Sequence, residues 1–154
     1  MSSTTLRPVL LGTDLGIYAM ARSFHEAFGV TSVVVSELPR GPINDSAIVE
    51  NVFTGAGSSD EDLLTALKNV AAQQPEATHL LLVNSDHQLA FVLAHREQLE
   101  QHYVVPYADA AIVARLADKT RCTRCWRTWR SRRPSLSRSI RGRASSPGGR
   151  RPPV

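Results

Sequence analysis

Apolar and polar positions alternate between two periods along most of the chain. Arg7 to Gly12 (RPVLLG) is a short apolar run closed by glycine, the pattern of a buried strand. The next segment, LGIYAMARSFHEAFG, changes to helical spacing, with Ile17, Met20, Ala21, Phe24 and Phe28 on one face. Asp14 stands where a helix cap belongs and Gly29 where a helix ends. The strand pattern returns in Thr31–Glu37 (TSVVVSE), followed by the breaker-rich LPRGPIND and a third strand within Ala47–Phe53. After the loop GAGSSDED, Ser59 and Asp62 have capping-box spacing, and Leu63, Leu67, Val70 and Ala71 mark a helix that Pro75 stops. His79–Val83 predicts another buried strand, and Asn84-Ser85-Asp86 a turn. Leu89, Val92, Leu93 and Leu99 predict one helix with Arg96 at its polar edge, and His102–Tyr107 (HYVVPY) a last strand.

Strands alternating with helices of about ten to fifteen residues predict an α/β domain with a largely parallel sheet and right-handed crossovers. Ligands of such sheets sit beyond the carboxyl ends of the strands. The turns Gly12-Thr13-Asp14, Asn84-Ser85-Asp86 and Pro106-Tyr107 are therefore the places to look for a site.

Composition divides the chain in a way its total charge of +4 conceals. Residues 1–121 carry 8 Lys and Arg against 14 Asp and Glu, whereas residues 122–154 carry 10 Arg and no acid. At 154 residues there is material for one core and not for a multidomain enzyme. Both cysteines, Cys122 and Cys125, lie in the basic part, so no disulfide staples the acidic part, and a reducing cytoplasm is the expected compartment. The N-terminus has no signal-peptide pattern, and no run approaches the roughly eighteen apolar residues of a membrane span.

Gly12-Thr13-Asp14-Leu15-Gly16 lies between a strand and a helix, where backbone N–H groups bind phosphate or carboxylate. It is not the G-x-G-x-x-G dinucleotide fingerprint, and a tight turn with Asp14 as helix cap uses the same residues. Asp86 has the same two readings, cap or site acid. His25, His79, His87, His95 and His102 have no metal-ligand spacing, so no metal is expected. His25 and His95 are expected on helix surfaces, and His79 and His102 near strand starts. No P-loop, no G-x-S-x-G elbow and no cysteine nucleophile belong to the domain, so no catalytic residue is assigned.

The blocks RPVLLGTDLGIYAMARSFHEAFGV, RGPINDSAIVENV and HLLLVNSDHQLAFVLAHREQLEQHYVVPYADAAIVARLADKTR, in this order, resemble the N-terminal domain of bacterial ATP-grasp carboxylate–amine ligases. Within these they are most similar to the D-aspartate ligases, which attach D-aspartate to the lysine side chain of peptidoglycan precursors. The resemblance covers nearly all of residues 7–121. It implies a Rossmann-like pre-ATP-grasp domain over 6–117, the start of the ATP-grasp linker helix at 118–121, and a basic tail at 122–154. In the family two further lobes hold ATP and Mg²⁺ and activate a carboxylate as an acyl phosphate for attack by an amine, so a carboxylate or amine small molecule is the implied partner. Gly12, Thr13, Asp14 and Asp86 are the implied substrate-binding residues, although Asn84-Ser85 stands where the family has glycine before the acid. Gly41-Pro42 with Ser46 matches the family's next loop, Pro106-Tyr107 and Asp109 its turn into the hinge helix, and Lys119 a lysine that reaches nucleotide phosphates.

After Lys119 the family continues as an amphipathic helix, whereas this chain reads CTRCWRTWRSRRP (Cys122–Pro134). A reading frame made from the last base of each codon and the first two of the next has forced outcomes here. Cys125-Trp126 yields only Leu, while Arg124-Cys125 and Thr128-Trp129 yield Leu, Met or Val. With G/C-rich codons the shifted frame can read His-Ala-Leu-Leu-Glu-Asp-Leu-Glu-Val-Ala-Ala-Pro, which would restore the expected helix and its terminating proline. The tail is thus expected to be an out-of-frame product, with the composition of a disordered segment. The alternatives are a basic arm whose arginines and Trp126 and Trp129 contact nucleic acid, and a stand-alone α/β ligand-binding module. The lone C-x-x-C supplies too few ligands for a structural zinc site.

Overall fold

A computed structural model describes residues 5–39 and 41–117. The chain divides into two compact units, Met1–Val113 and Ala114–Val154. The linker expected at 118–121, Lys119, and the tail at 122–154 lie outside the described residues.

Four strands form one all-parallel sheet: β1 (Leu6–Leu11), β2 (Ser32–Ser36), β3 (Val49–Phe53) and β4 (Thr78–Val83), in spatial order β3-β2-β1-β4. The expected α/β class with a parallel sheet is the observed one. Strand order reverses at β1, which makes the boundary between β1 and β4 the switch point of a doubly wound sheet. β1 carries Pro8 in a central position, although proline has no N–H to give a ladder. The Gly12 N–H donates to the Val35 carbonyl at 3.1 Å, so even-numbered β1 residues face β2, and the β2 pairing begins only at Val9. The missing donor of Pro8 therefore falls just before that ladder starts.

The helices cover both faces because strand side chains alternate. Val9, Leu11, Val33, Val35, Leu81 and Val83 point to one face and pack on α3 (Asp60–Gln73), α4 (Asp86–Ala94) and α5 (Arg96–Leu99). Leu10 and Val34 point to the other and pack on α1 (Leu15–Phe28) and on Ile43 of the short α2 (Gly41–Asn44). α6 (Ala110–Ala117) is the last described element. Among the described residues no helix is long and apolar enough to cross a membrane.

Local signals placed the helix ends well. Asp14 caps α1 and Gly29 closes it at φ 66°, and Ser59 and Asp62 form the expected capping box on α3. Three expectations change. The stretch LPRGPIND contains the one-turn α2. The single helix expected through Leu99 is broken at His95 (φ −109°, ψ 18°), without glycine or proline. The break lets Leu99 reach the core, where it is 3% exposed. The last strand shrinks to one parallel bridge, Leu80 with Val104. Pro106 offers no N–H to extend it, and the Tyr107 hydroxyl takes over, accepting from the Val83 N–H at 2.7 Å and donating to the Val83 carbonyl at 3.1 Å.

Candidate functional site

The carboxyl ends of β1, β2 and β3, the start of α3 and the start of α4 surround an open cleft of about 380 Å³. Its floor is the strand ends Leu11 and Val35, and its rim carries Gly12, Thr13, Asp14, Glu37, Asp60 and His87. Every described wall residue lies between Leu11 and Gln88, within the first of the two compact units.

The β1–α1 turn shows how the site is held. Asp14 Oδ1 accepts from the Gly16 N–H at 2.7 Å, the Ile17 N–H at 3.1 Å and the Asn84 side-chain amide at 2.7 Å. The slight burial of this carboxylate raises its pKa, but the bonds from Ile17, Asn84 and Gly16 outweigh that and lower it below the ordinary carboxylate value. The helix-cap reading of Asp14 is therefore the observed geometry. The N–H groups that would hold a bound phosphate already hold this carboxylate, which also answers the α1 dipole.

Asn84 ties the end of β4 to the end of β1 across the switch point. Its amide explains Gly16, because a Cβ there would collide with Asn84 Nδ2. Gly12 is favoured by its φ of 111°, and a Cβ there would also push on the Gln88 amide, whose Nε2 would lie 2.7 Å away. Gln88 Oε1 is itself buried without a hydrogen-bond partner among the described residues.

α3 also starts at the cleft with its own acid. Asp62 accepts from the Ser59 N–H at 2.9 Å and the Ser59 hydroxyl at 2.8 Å, and these bonds lower its pKa. Asp60, on the cleft side, lies 3.7 Å from His95 Nε2. Thr54 Oγ1 and Ser58 Oγ pair at 2.8 Å and line the wall beyond β3.

The structure brings Gly12, Thr13 and Asp14 together in the cleft, and leaves Asp86 off its walls. Asp86 is not the cap either: Ser85 Oγ accepts from the Gln88 N–H at 3.3 Å, and Asp86 is the first residue of α4. Gly41 opens α2, and Ser46 turns the chain before β3; neither lines the cleft. Tyr107 and Asp109 are gathered by Arg96, whose Nη1 donates to the Tyr107 carbonyl at 3.1 Å and lies 3.4 Å from the Asp109 carboxylate. His79 is at the second position of β4 and only 4% exposed, and His95 closes α4 half-buried. Glu37, Asp60, His87 and Gln88 were missed from the sequence. The strand-end rule applied to β2 and β3, as to β1 and β4, would have found the first two. No group of three or more His, Cys, Asp or Glu among the described residues is arranged to hold a metal.

No family model matches the chain, and no solved structure matches it. A D-aspartate ligase of Enterococcus faecium (strain Aus0004) is 27% identical over 115 residues, which cover 73% of this chain and 27% of the relative. The chain therefore spans about a quarter of the length of the curated relative it matches. An alignment of this extent supports a distant relationship between this chain and the D-aspartate ligases.

Proposed function

We propose that residues 6–117 are the substrate-side domain of an ATP-dependent carboxylate–amine ligase of the D-aspartate ligase kind, and that the frame shifts near codon 121. The observation that carries the first part is the 115-residue similarity to a D-aspartate ligase. A carboxylate is a poor electrophile until a phosphoryl leaving group is installed and a cation screens the developing charge. In this reading ATP and Mg²⁺ do that work in lobes encoded downstream in the restored frame, with Lys119 at their entrance. The domain described here contributes the strand-end cleft with Gly12, Thr13 and Asp14, and it has no ligase activity of its own.

The supports for the frameshift are the charge reversal at residue 122 and the shifted-frame leucines. Sequencing the locus at base level tests it: an uninterrupted frame with no ligase coding downstream overturns it. Expression of the restored frame tests the activity, with ADP release expected on adding D-aspartate and a lysyl acceptor, and none from the 154-residue chain. A second reading, a stand-alone ligand-binding module, is favoured by the confinement of the cleft walls, among the described residues, to residues 11–88. It predicts binding by the 154-residue chain at micromolar ligand, which titration calorimetry measures.

A further inference from the structure

We propose that Tyr107 is a positioning residue: through the peptide between Val83 and Asn84 it holds Asn84 against Asp14, and so couples the segment leading into α6 to a wall of the cleft. The coupling rests on the contacts alone. Only its use, to pass a movement of downstream lobes to the β1–α1 turn, rests on the ligase reading.

The outer edge of β4 shows why Tyr107 acts there. The Leu81 N–H donates to the Val104 carbonyl at 3.1 Å and the Val104 N–H to the His79 carbonyl at 2.8 Å, so odd-numbered residues of β4 turn their backbone groups to that edge. Val83 is the next of them, and Pro106, two residues beyond Val104, has no N–H to continue the ladder. The Tyr107 hydroxyl takes the vacant place, accepting from the Val83 N–H and donating to the Val83 carbonyl. That carbonyl belongs to a planar peptide unit whose other end is the Asn84 nitrogen. Fixing its direction fixes where Asn84 starts, and the Asn84 amide then donates to Asp14 Oδ1 at 2.7 Å.

Asn84 and Asp14 are both exposed. A hydrogen bond in contact with water gains little unless its groups are already in place, because ordering them costs entropy. Tyr107 can supply that order, since it is held at both ends. Its carbonyl accepts from Arg96 Nη1 at 3.1 Å, and the same guanidinium lies 3.4 Å from the Asp109 carboxylate and donates through Nε to Glu100 at 2.6 Å. Asp109 starts α6, its backbone carbonyl accepting from the Ile112 and Val113 N–H groups. One run of contacts therefore leads from the start of α6 through Arg96, Tyr107 and Val83 to Asn84 and Asp14.

The test reads Asp14 itself, because a carboxylate that loses a hydrogen-bond donor titrates at higher pH. A contact path is a coupling only when a change at one end is felt at the other. NMR follows the Asp14 carboxyl carbon and the Asn84 side-chain amide against pH in the full 154-residue chain and in Tyr107→Phe, Arg96→Lys and Tyr103→Phe. All three variants keep the charge of the parent, and Glu37, Asp60 and His87 in the cleft wall are untouched, so a shift at Asp14 reports its hydrogen bonds. Tyr107→Phe is expected to raise the Asp14 midpoint toward the ordinary carboxylate value and to move the Asn84 amide signals toward those of a free amide. Arg96→Lys, which loses the fork to Tyr107 and Asp109, should do the same to a smaller extent. Asn84→Ala marks the full rise that loss of the amide produces. Tyr103→Phe removes a hydroxyl from the opposite edge of the sheet and should leave both readouts unmoved. The proposal is overturned if Asp14 titrates as in the parent in both Tyr107→Phe and Arg96→Lys, or if Tyr103→Phe raises its midpoint as much as Tyr107→Phe does. That failure leaves ADP release by the restored frame untouched, and a failure of ADP release leaves the coupling to stand on the Asp14 titration.

Discussion

The two edges of the sheet carry polar groups of opposite kinds. At the amino edge three side chains are buried, Arg7 at 5%, His79 at 4% and Tyr103 at 5% exposure, and each serves the last turns of α3. Arg7 donates to the Val70 carbonyl at 3.0 Å and to Gln73 Oε1 at 2.9 Å, and pairs with Glu50 at 3.1 Å. The Tyr103 hydroxyl donates to the Leu67 carbonyl at 2.7 Å, and His79 Nε2 lies 3.0 Å from the Gln74 carbonyl. α3 has no basic residue in its own last turn, so the sheet supplies the cation that its dipole favours. Desolvation pushes the Tyr103 phenol far above its ordinary pKa, and the charge on Arg7 offsets only part of that. At the carboxyl edge the acids are exposed, and Glu37 and Asp60 carry no hydrogen bond among the described residues. Buried polar groups committed to backbone carbonyls hold a fold, while exposed acceptors around a cleft are available to a ligand.

The amino edge is the one whose breakage unfolds the protein. Arg7→Ala leaves the Val70 carbonyl buried and unpaired, and should cost about 3 kcal/mol in urea unfolding. Leu67→Ala, which opens a cavity between α3 and the sheet, should cost a similar ~2–5 kcal/mol and serves as the apolar reference. Tyr103→Phe removes only the bond to the Leu67 carbonyl and should cost about 1–2 kcal/mol by the same measurement.

The carboxyl edge should respond more weakly in stability. Asp14→Ala removes the α1 cap and its link to Asn84 and should cost about 1 kcal/mol. Because the folded pKa of Asp14 is depressed, its contribution is present above the unfolded carboxylate value near 4 and disappears as pH falls through the lower folded value. Acid titrations of Asp14→Asn should accordingly show a smaller loss of stability below about pH 4 than the parent chain. Glu37→Gln, at an exposed position, should leave stability within about 0.5 kcal/mol in urea unfolding. A large stability loss there would erase the distinction between the two edges.

Much of the fold was legible because its signals are local. The glycine that ends β1, the apolar face of α1 and the Ser59–Asp62 box act within a few residues of chain, so spacing alone reveals them. The break at His95 and the loss of the last strand were not legible, because the first follows from the burial of Leu99 and the second from a hydroxyl reaching Val83 from Tyr107, 24 residues away. The site was half legible. Gly12, Thr13 and Asp14, to which the strand-end rule points, line the cleft, whereas the cap of α4 is Ser85, one residue before the Asp86 that spacing offered.

Sequence by itself determined the α/β class, the caps of α1 and α3, and a charge boundary at residue 122, since each depends on residue type at short spacing. Only the tertiary structure decided whether the β1–α1 turn is an anion site. Asn84, 70 residues from Asp14, donates 2.7 Å to its carboxylate, and that bond together with the two N–H groups of α1 makes the acid part of the wall. The two N–H groups of the turn receive Asp14 locally, and it is the long-range bond from Asn84 that anchors this carboxylate at the switch point, because only packing of β4 beside β1 brings that amide within reach.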